Sequence, residues 1–267
     1  MPSTGPRVLT EGLLEAAAKE RQPKKKAETT QQFLKRQTHL RLSEKRLSAC
    51  AIPSSCVLPN LKTLYLYDNA IASLSGLGAL SQLTHLHAYN NQISAIGADI
   101  SGLQRLRKLY LNNNCLQSLS PLAPLVGLEE LHASSQRLPE GEAFDLAPEA
   151  LAGMRNLRVL SLAGNSLDTV AELAHCRSLH VVDLRRNRLR DADSVQPLLS
   201  ASPIVDLDLS ENGVDERYQL DKIIVACPTI TRLNGRDLTK SERPYLTALV
   251  SRGIRSDPAD GEPAGAV

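Results

Sequence analysis

Tryptophan is absent from this chain, phenylalanine occurs twice, and aromatic residues make up 3% of its 267 positions. A core without large rings must be aliphatic. Charge of one sign is lacking too: 31 Lys and Arg against 29 Asp and Glu leave +2, so no global field calls for nucleic acid or a membrane surface. No apolar run is long enough to span a bilayer, and the opening MPSTGPRVLT lacks the form of a secretory leader, which predicts neither membrane insertion nor export. The five cysteines, Cys50, Cys56, Cys115, Cys176 and Cys227, are odd in number and include no CxxC pair. That usage predicts a reduced, cytoplasmic protein. No phosphate loop, GxSxG elbow, HExxH helix or calcium loop occurs, and no nucleophile stands out. His85 and His87 could share a metal, with His132 further along, but no Cys or carboxylate completes a close set. The expectation is therefore no enzyme, no cofactor and no metal.

What the chain does have is one phrase, repeated. LKTLYLYDNAI begins at Leu61, and LTHLHAYNNQI, LRKLYLNNNCL, LEELHASSQRL, LRVLSLAGNSL, LHVVDLRRNRL and IVDLDLSENGV begin at Leu83, Leu106, Leu128, Leu157, Leu179 and Ile204. A worn copy, QTHLRLSEKRL, begins at Gln37. After Leu61 the starts lie 22, 23, 22, 29, 22 and 25 residues apart. This period and consensus are those of leucine-rich repeats. Leu64 and Leu66 are two apart, so on a strand both face one way, into the core. Between copies the apolar residues fall every third position (Ile71, Leu74, Leu77, Leu80, Leu83), which suits tight 3₁₀ turns on a convex back. Asn69, Asn91, Asn114, Asn165, Asn187 and Asn212 recur at the ninth position, where a buried amide can satisfy loop backbone groups. One copy cannot offset its ordering entropy, so copies must stack. The predicted fold is an α/β leucine-rich repeat solenoid with a concave parallel sheet, about eight repeats and a helical cap at each end.

Residues 1–36 carry no repeat and read as a basic helical extension and cap, with a helix over 8–20 that Thr10 could cap. From Lys19 to Arg46 ten basic residues face three acidic ones. That run is either a solvated linker or a contact for an acidic partner such as a tubulin tail or RNA. Thr29 and Gln32 fit a capping box, and Phe33 and Leu34 could cover the first strand's open edge. Repeats fill 37–214, with an insertion over 139–156 beside a ladder that Gln136, in place of the asparagine, is expected to weaken. The insertion reads equally as a partner-binding flap or as a convex bulge. Residues 215–250 read as a terminal cap with a helix over 216–226, and 251–267 as a disordered tail.

The fifth positions read Arg41, Tyr65, His87, Tyr110, His132, Ser161, Asp183 and Asp208, and strands lie about 4.8 Å apart, so the middle of the concave face carries a Tyr-His row. Tyr67, Tyr89, His39, His85 and His180 take other concave positions. Rings gathered on one surface favour binding of a folded protein. Glu130, Asp183, Arg185 and Asp208 belong to an alternation of charge along the face that would select a partner.

The 22-residue step and the ending CPTITRLNGRDLT resemble the SDS22-like leucine-rich repeat proteins, as do TLYLYDN, RKLYL, EELHASSQRLPEGE and the lead-in KKKAETTQQFLKR. The resemblance covers roughly residues 8–250. It implies association with the catalytic subunit of protein phosphatase 1 and with tubulin, axonemal or centrosomal proteins, hence a cytoskeletal location at a cilium, basal body or centrosome. Many partners of that phosphatase carry a basic residue, then Val or Ile, any residue, and Phe or Trp. Here Gln31 and Glu142 stand two residues before Phe33 and Phe144, so the resemblance implies docking through the concave face. An RNA-associated adaptor is the alternative, motivated by Lys24–Lys26.

Overall fold

Each copy of the phrase contributes one three-residue strand, at its third to fifth positions. The computed structural model describes residues 7–215 and 217–252. The strands are β1 (His39–Arg41), β2 (Thr63–Tyr65), β3 (His85–His87), β4 (Lys108–Tyr110), β5 (Glu130–His132), β6 (Val159–Ser161), β7 (Val181–Asp183), β8 (Asp206–Asp208), β9 (Arg232–Leu233) and β10 (Arg236–Asp237). They form one sheet in chain order, parallel from β1 to β9, with β10 antiparallel at the edge. Equivalent positions pair in register: Leu40, Leu64, Leu86, Leu109, Leu131, Leu160, Val182, Leu207 and Leu233 form one continuous buried row. The fold is a leucine-rich repeat solenoid.

Behind the sheet the three-residue apolar period gives tight turns, as expected. Leu80 N–H donates to the Leu77 carbonyl and Leu83 N–H to the Leu80 carbonyl, each at 2.9 Å, and 3₁₀ helices occupy Ala98–Gly102, Ser120–Leu122, Ala171–His175 and Ala192–Ser194. Neighbouring turns approach closely there. Asp99 accepts from the backbone N–H of Gly76 at 2.8 Å and of Gly78 at 2.9 Å, and a β-carbon on Gly102 would overlap the Gly78 carbonyl.

The ninth-position amides form an unbroken ladder. Asn114 Oδ1 accepts from Ile93 N–H at 3.0 Å, while its Nδ2 donates to the carbonyls of Ala88 at 3.0 Å and Leu111 at 2.9 Å. Gln136 does not weaken it, contrary to the expectation. Its longer arm places Oε1 3.0 Å from Leu116 N and Nε2 2.9 Å from Leu111 O, the bonds that an asparagine makes elsewhere. Past the last rung, at Asn212, Leu209 N–H donates to Asn234 Oδ1 at 2.8 Å, in the place where its counterparts meet a carbonyl of the next strand. In every copy the eighth residue is left-handed: Glu44, Asp68, Asn90, Asn113, Ser135, Gly164, Arg186 and Glu211 all have φ between +54° and +67°.

At the N-terminal edge, α1 (Glu11–Arg21) begins three residues later than the Val8 start predicted. Thr10 is the N-cap, accepting from Leu13 N–H at 3.3 Å, and the residues before it run extended, with Arg7 pairing in parallel with Leu47. Helix α2 (Thr30–Lys35) has the predicted capping box of Thr29 and Gln32. Phe33 and Leu34 are fully buried in the core. Within the insertion, Phe144, Leu146, Leu151 and Met154 are buried and a short helix α3 (Pro148–Gly153) packs on the adjoining convex turns, while residues 139–143 stay exposed. After α4 (Gln196–Ala201) and α5 (Arg217–Ala226), the C-terminal end adds α6 (Glu242–Ser251), which the sequence reading lacked. Its Arg243 donates to the carbonyls of Cys227 at 2.8 Å and Ile230 at 2.7 Å. The expected tail over 251–267 lies, from 253 onward, outside the described residues.

Candidate protein-binding face

The register of the sheet brings the Tyr-His row together ring on ring. Tyr65 stacks on His87 with centroids 4.7 Å apart, His87 on Tyr110 at 4.4 Å, and Tyr110 on His132 at 4.6 Å. Beside it Tyr67 stacks on Tyr89 at 4.7 Å, and Tyr65 meets Tyr67 edge-on. The reason is metric. Adjacent strands repeat at about 4.8 Å, close to the separation of stacked rings. Planar side chains on equivalent positions therefore lie flat against one another. The rings stand out from the sheet, as expected, and remain part-exposed. Their faces, however, are taken up by each other, so a partner meets ring edges and polar tips rather than open aromatic faces.

Burial governs the protonation of the row. It holds the His87 imidazole down, from an ordinary 6.5 to about 4, with His85, His132 and Lys108 adding to the effect. Burial also lowers His132, against the pull of Glu130 and Asp183, and lowers His85 and His39. Burial, then Glu130, pushes the Tyr110 phenol up. His85 is also oriented by a 2.8 Å contact of Nδ1 with Thr84 Oγ1. Glu130 sits across from Lys108, 2.6 Å from its ammonium, and accepts from the Tyr110 hydroxyl at 3.2 Å. Burial raises the Glu130 carboxyl, but the ammonium outweighs it and leaves the group below its usual range.

Asp183, Arg185 and Asp208 form a separate network nearer the C-terminal end. Arg185 donates to both Asp183 oxygens at 3.0 Å and lies 3.5 Å from Asp208. Ser161 stands between this network and the rings, donating to Asp183 at 3.0 Å. Burial raises Asp183, yet the bonds from Arg185 and Ser161 hold it below the usual carboxylate range. Sequence reasoning missed a third polar row, in which Asn90 donates to Asp68 and Asn113 donates to Asn90, both at 2.7 Å. The signal was the run of Asp and Asn at the eighth position, residue types that tolerate the left-handed backbone required there.

Other candidate chemistry is tied up in structure. The N-terminal basic run is laced with ion pairs: Lys19 and Lys24 to Glu15, Arg36 to Glu28, and Lys45 to Glu20. Those partners, Lys19 first, hold Glu15 down to about 2. Phe33 and Phe144 are both buried. The five cysteines are unpaired, and burial pushes the Cys50 and Cys176 thiols up to about 12. Among the described residues no three His, Cys, Asp or Glu side chains gather as a metal would require, and no helix is long and apolar enough to cross a membrane.

Comparison with known proteins agrees with the fold. The model of the family described as Leucine Rich repeats (2 copies) matches residues 59–105 and 81–124. An uncharacterized Caenorhabditis elegans protein is 32% identical over 92 residues, 33% of this chain and 20% of that protein. The leucine-rich repeat-containing protein ODA7 of Chlamydomonas reinhardtii is 29% identical over 96 residues, 35% of this chain and 22% of that one. The chain thus matches less than a quarter of the length of either relative. Among solved structures, internalin C2 of Listeria monocytogenes superposes with a TM-score of 0.61 at 25% identity, covering 82% of this chain and 92% of that one. A Leptospira interrogans leucine-rich repeat protein gives 0.59 at 22% identity over 73% of this chain and 53% of that one. Fold and matches together define a leucine-rich repeat solenoid.

Proposed function

We propose that the hollow between β2 and β5 holds a folded protein partner, and that the chain is a non-catalytic scaffold of microtubule-based structures. The observation that supports the site is the Tyr65–His87–Tyr110–His132 stack. Four amphipathic side chains are held in one arrangement before any partner arrives, so little rotamer entropy remains to be lost on binding. The setting is supported by the resemblance of EELHASSQRLPEGE, residues 129–142, to protein phosphatase 1 regulatory subunit 42. On that reading the partners are the phosphatase 1 catalytic subunit and tubulin, axonemal or centrosomal proteins, and the location is cytoplasmic, at the axoneme, basal body or centrosome. The burial of Phe33 and Phe144 supports docking through the hollow rather than through a linear motif.

Purified phosphatase 1 catalytic subunit and tubulin are the probes. Binding of either, lost when Tyr65, His87 and Tyr110 are together replaced by Ala while circular dichroism is unchanged, is the expected result. Binding of neither, or binding that survives the replacement, overturns the proposal.

A further inference from the structure

The ring row of the hollow stops one strand short of a carboxylate. Tyr65, His87, Tyr110 and His132 take the fifth positions of β2 to β5, and the next register partners are Ser161 on β6 and Asp183 on β7. His132 stacks on Tyr110 with one face, and no ring meets its other face among the described residues. The concave positions of β6 and of the turn after it are Val159, Ser161, Ala163 and Gly164, none longer than valine. Ser161, 8% exposed, is the floor, and its hydroxyl is engaged by Asp183 at 3.0 Å and Ser134 at 2.7 Å. The result is a slot one strand wide between an imidazole face and a carboxylate. Two strand spacings of about 4.8 Å separate these walls, which leaves room for one flat group stacked on His132. The charges beside the slot are unequal. Asp183 and Asp208 share one cation, Arg185, 3.0 Å from the first and 3.5 Å from the second, while Asp206 has its own in Arg232 at 3.6 Å. Burial lowers the His132 imidazole, and the carboxylates of Glu130 and Asp183 oppose it; Lys108, the cation that acts with burial, stands on β4 and is held by Glu130. Arg158 precedes β6, outside the paired segment.

We propose that the protein docked in the hollow extends one strand past the ring row and inserts an arginine side chain into this slot, its guanidinium flat on the open face of His132 and its N–H groups directed at Asp183 and Asp208. This assignment rests on the hollow being the docking surface and names what the docked surface must carry. Charge complementarity sets the sign of the occupant. Shape sets its kind: a planar cation stacks on a neutral ring and donates to a carboxylate at once. An ammonium is a point charge and cannot lie flat on the ring. A further aromatic ring would stack but would cover the carboxylates without supplying a donor. The methylene stem of the arginine lies over Val159 and Val181, register partners on the strand-start side of the slot, of which Val181 is 37% exposed. Arginines seated in this way are enriched among the residues that carry binding energy at interfaces.

The test is NMR of the full chain with labelled histidine, titrated at about pH 7.5 with the capped peptides Gly-Arg-Gly, Gly-Lys-Gly, Gly-citrulline-Gly and Gly-Phe-Gly. The arginine peptide should move the His132 ring signals to saturation and bind at least about threefold more tightly than each of the others. Asp183→Asn keeps the shape of the wall and removes its charge, and should weaken the arginine peptide about threefold to fivefold. Ser161→Tyr places in the slot a residue that the fifth positions of β2 and β4 already carry, and should abolish the shift. No movement of the His132 signals, equal or tighter binding of the lysine, citrulline or phenylalanine peptide, or binding undiminished by either substitution would each overturn the proposal. The readouts stay separate: absence of phosphatase and tubulin binding counts against the partners named for the hollow, absence of the peptide shift against the arginine slot alone.

Discussion

His87 lies flat against Tyr110, with ring centroids 4.4 Å apart and planes 5° from parallel. The two belong to adjacent strands and are register partners, so the contact follows from the pairing of β3 with β4. A neutral imidazole between two phenols is compatible with this packing. A charged one would have to be desolvated there, and that conflict underlies the first prediction.

Stability should fall in mild acid. The unfolded chain takes a proton on His87 near an ordinary 6.5, the folded chain only near about 4. Between those values the unfolded state binds more protons, so stability declines as pH drops through the window, and above 6.5 this group has no effect. His39, His85 and His132 are shifted in the same direction and add to it. The urea midpoint should be lower at about pH 5 than at about pH 7.5, and His87→Gln should narrow the gap. A midpoint equal at both pH values would contradict it.

The amide ladder should be costly to break. Asn114→Ala strands the Ile93 N–H in the core and leaves the Ala88 carbonyl with its bond from Asn91 alone, a loss of about 2–3 kcal/mol measured by urea unfolding. Gln136→Ala should cost a similar amount, because Gln136 makes the same bonds to Leu116 and Leu111. An ordinary surface glutamine would cost nothing measurable.

On the convex side, Gly102→Ala should destabilise by about 1–3 kcal/mol. The added carbon meets the Gly78 carbonyl, which is backbone and cannot rotate away. Gly141→Ala is a useful contrast: nothing surrounds it, and only its positive φ opposes the change. Thermal unfolding of the two variants compares crowding with backbone strain.

The N-terminal cap should be sensitive to its box. Thr29→Ala removes the acceptor for Gln32 N–H and should cost about 1 kcal/mol. Hydrogen exchange in α2 should speed up before exchange in β3 to β7 changes.

Much of the architecture was legible in the chain, for a physical reason. Each repeat touches only its neighbours, so Leu64 and its counterparts, Asn69 and its counterparts, and the Tyr65–His132 row could be aligned by counting along the sequence. The Thr29–Gln32 box was legible because capping is local. What failed to show was whatever depended on distance in space. Gln136 looked like a gap in the ladder until its reach was seen, and α6 has no counterpart in the repeat.

The sequence by itself determined that a solenoid forms, in what register, and which residues share its inner face, since regularly spaced leucines and asparagines leave no other way to bury both. Only the tertiary structure decided how that face meets its surroundings. Strands held at ring-stacking distance turn tyrosines and histidines against each other, so the face offers ring edges and polar tips that no count along the chain foretells.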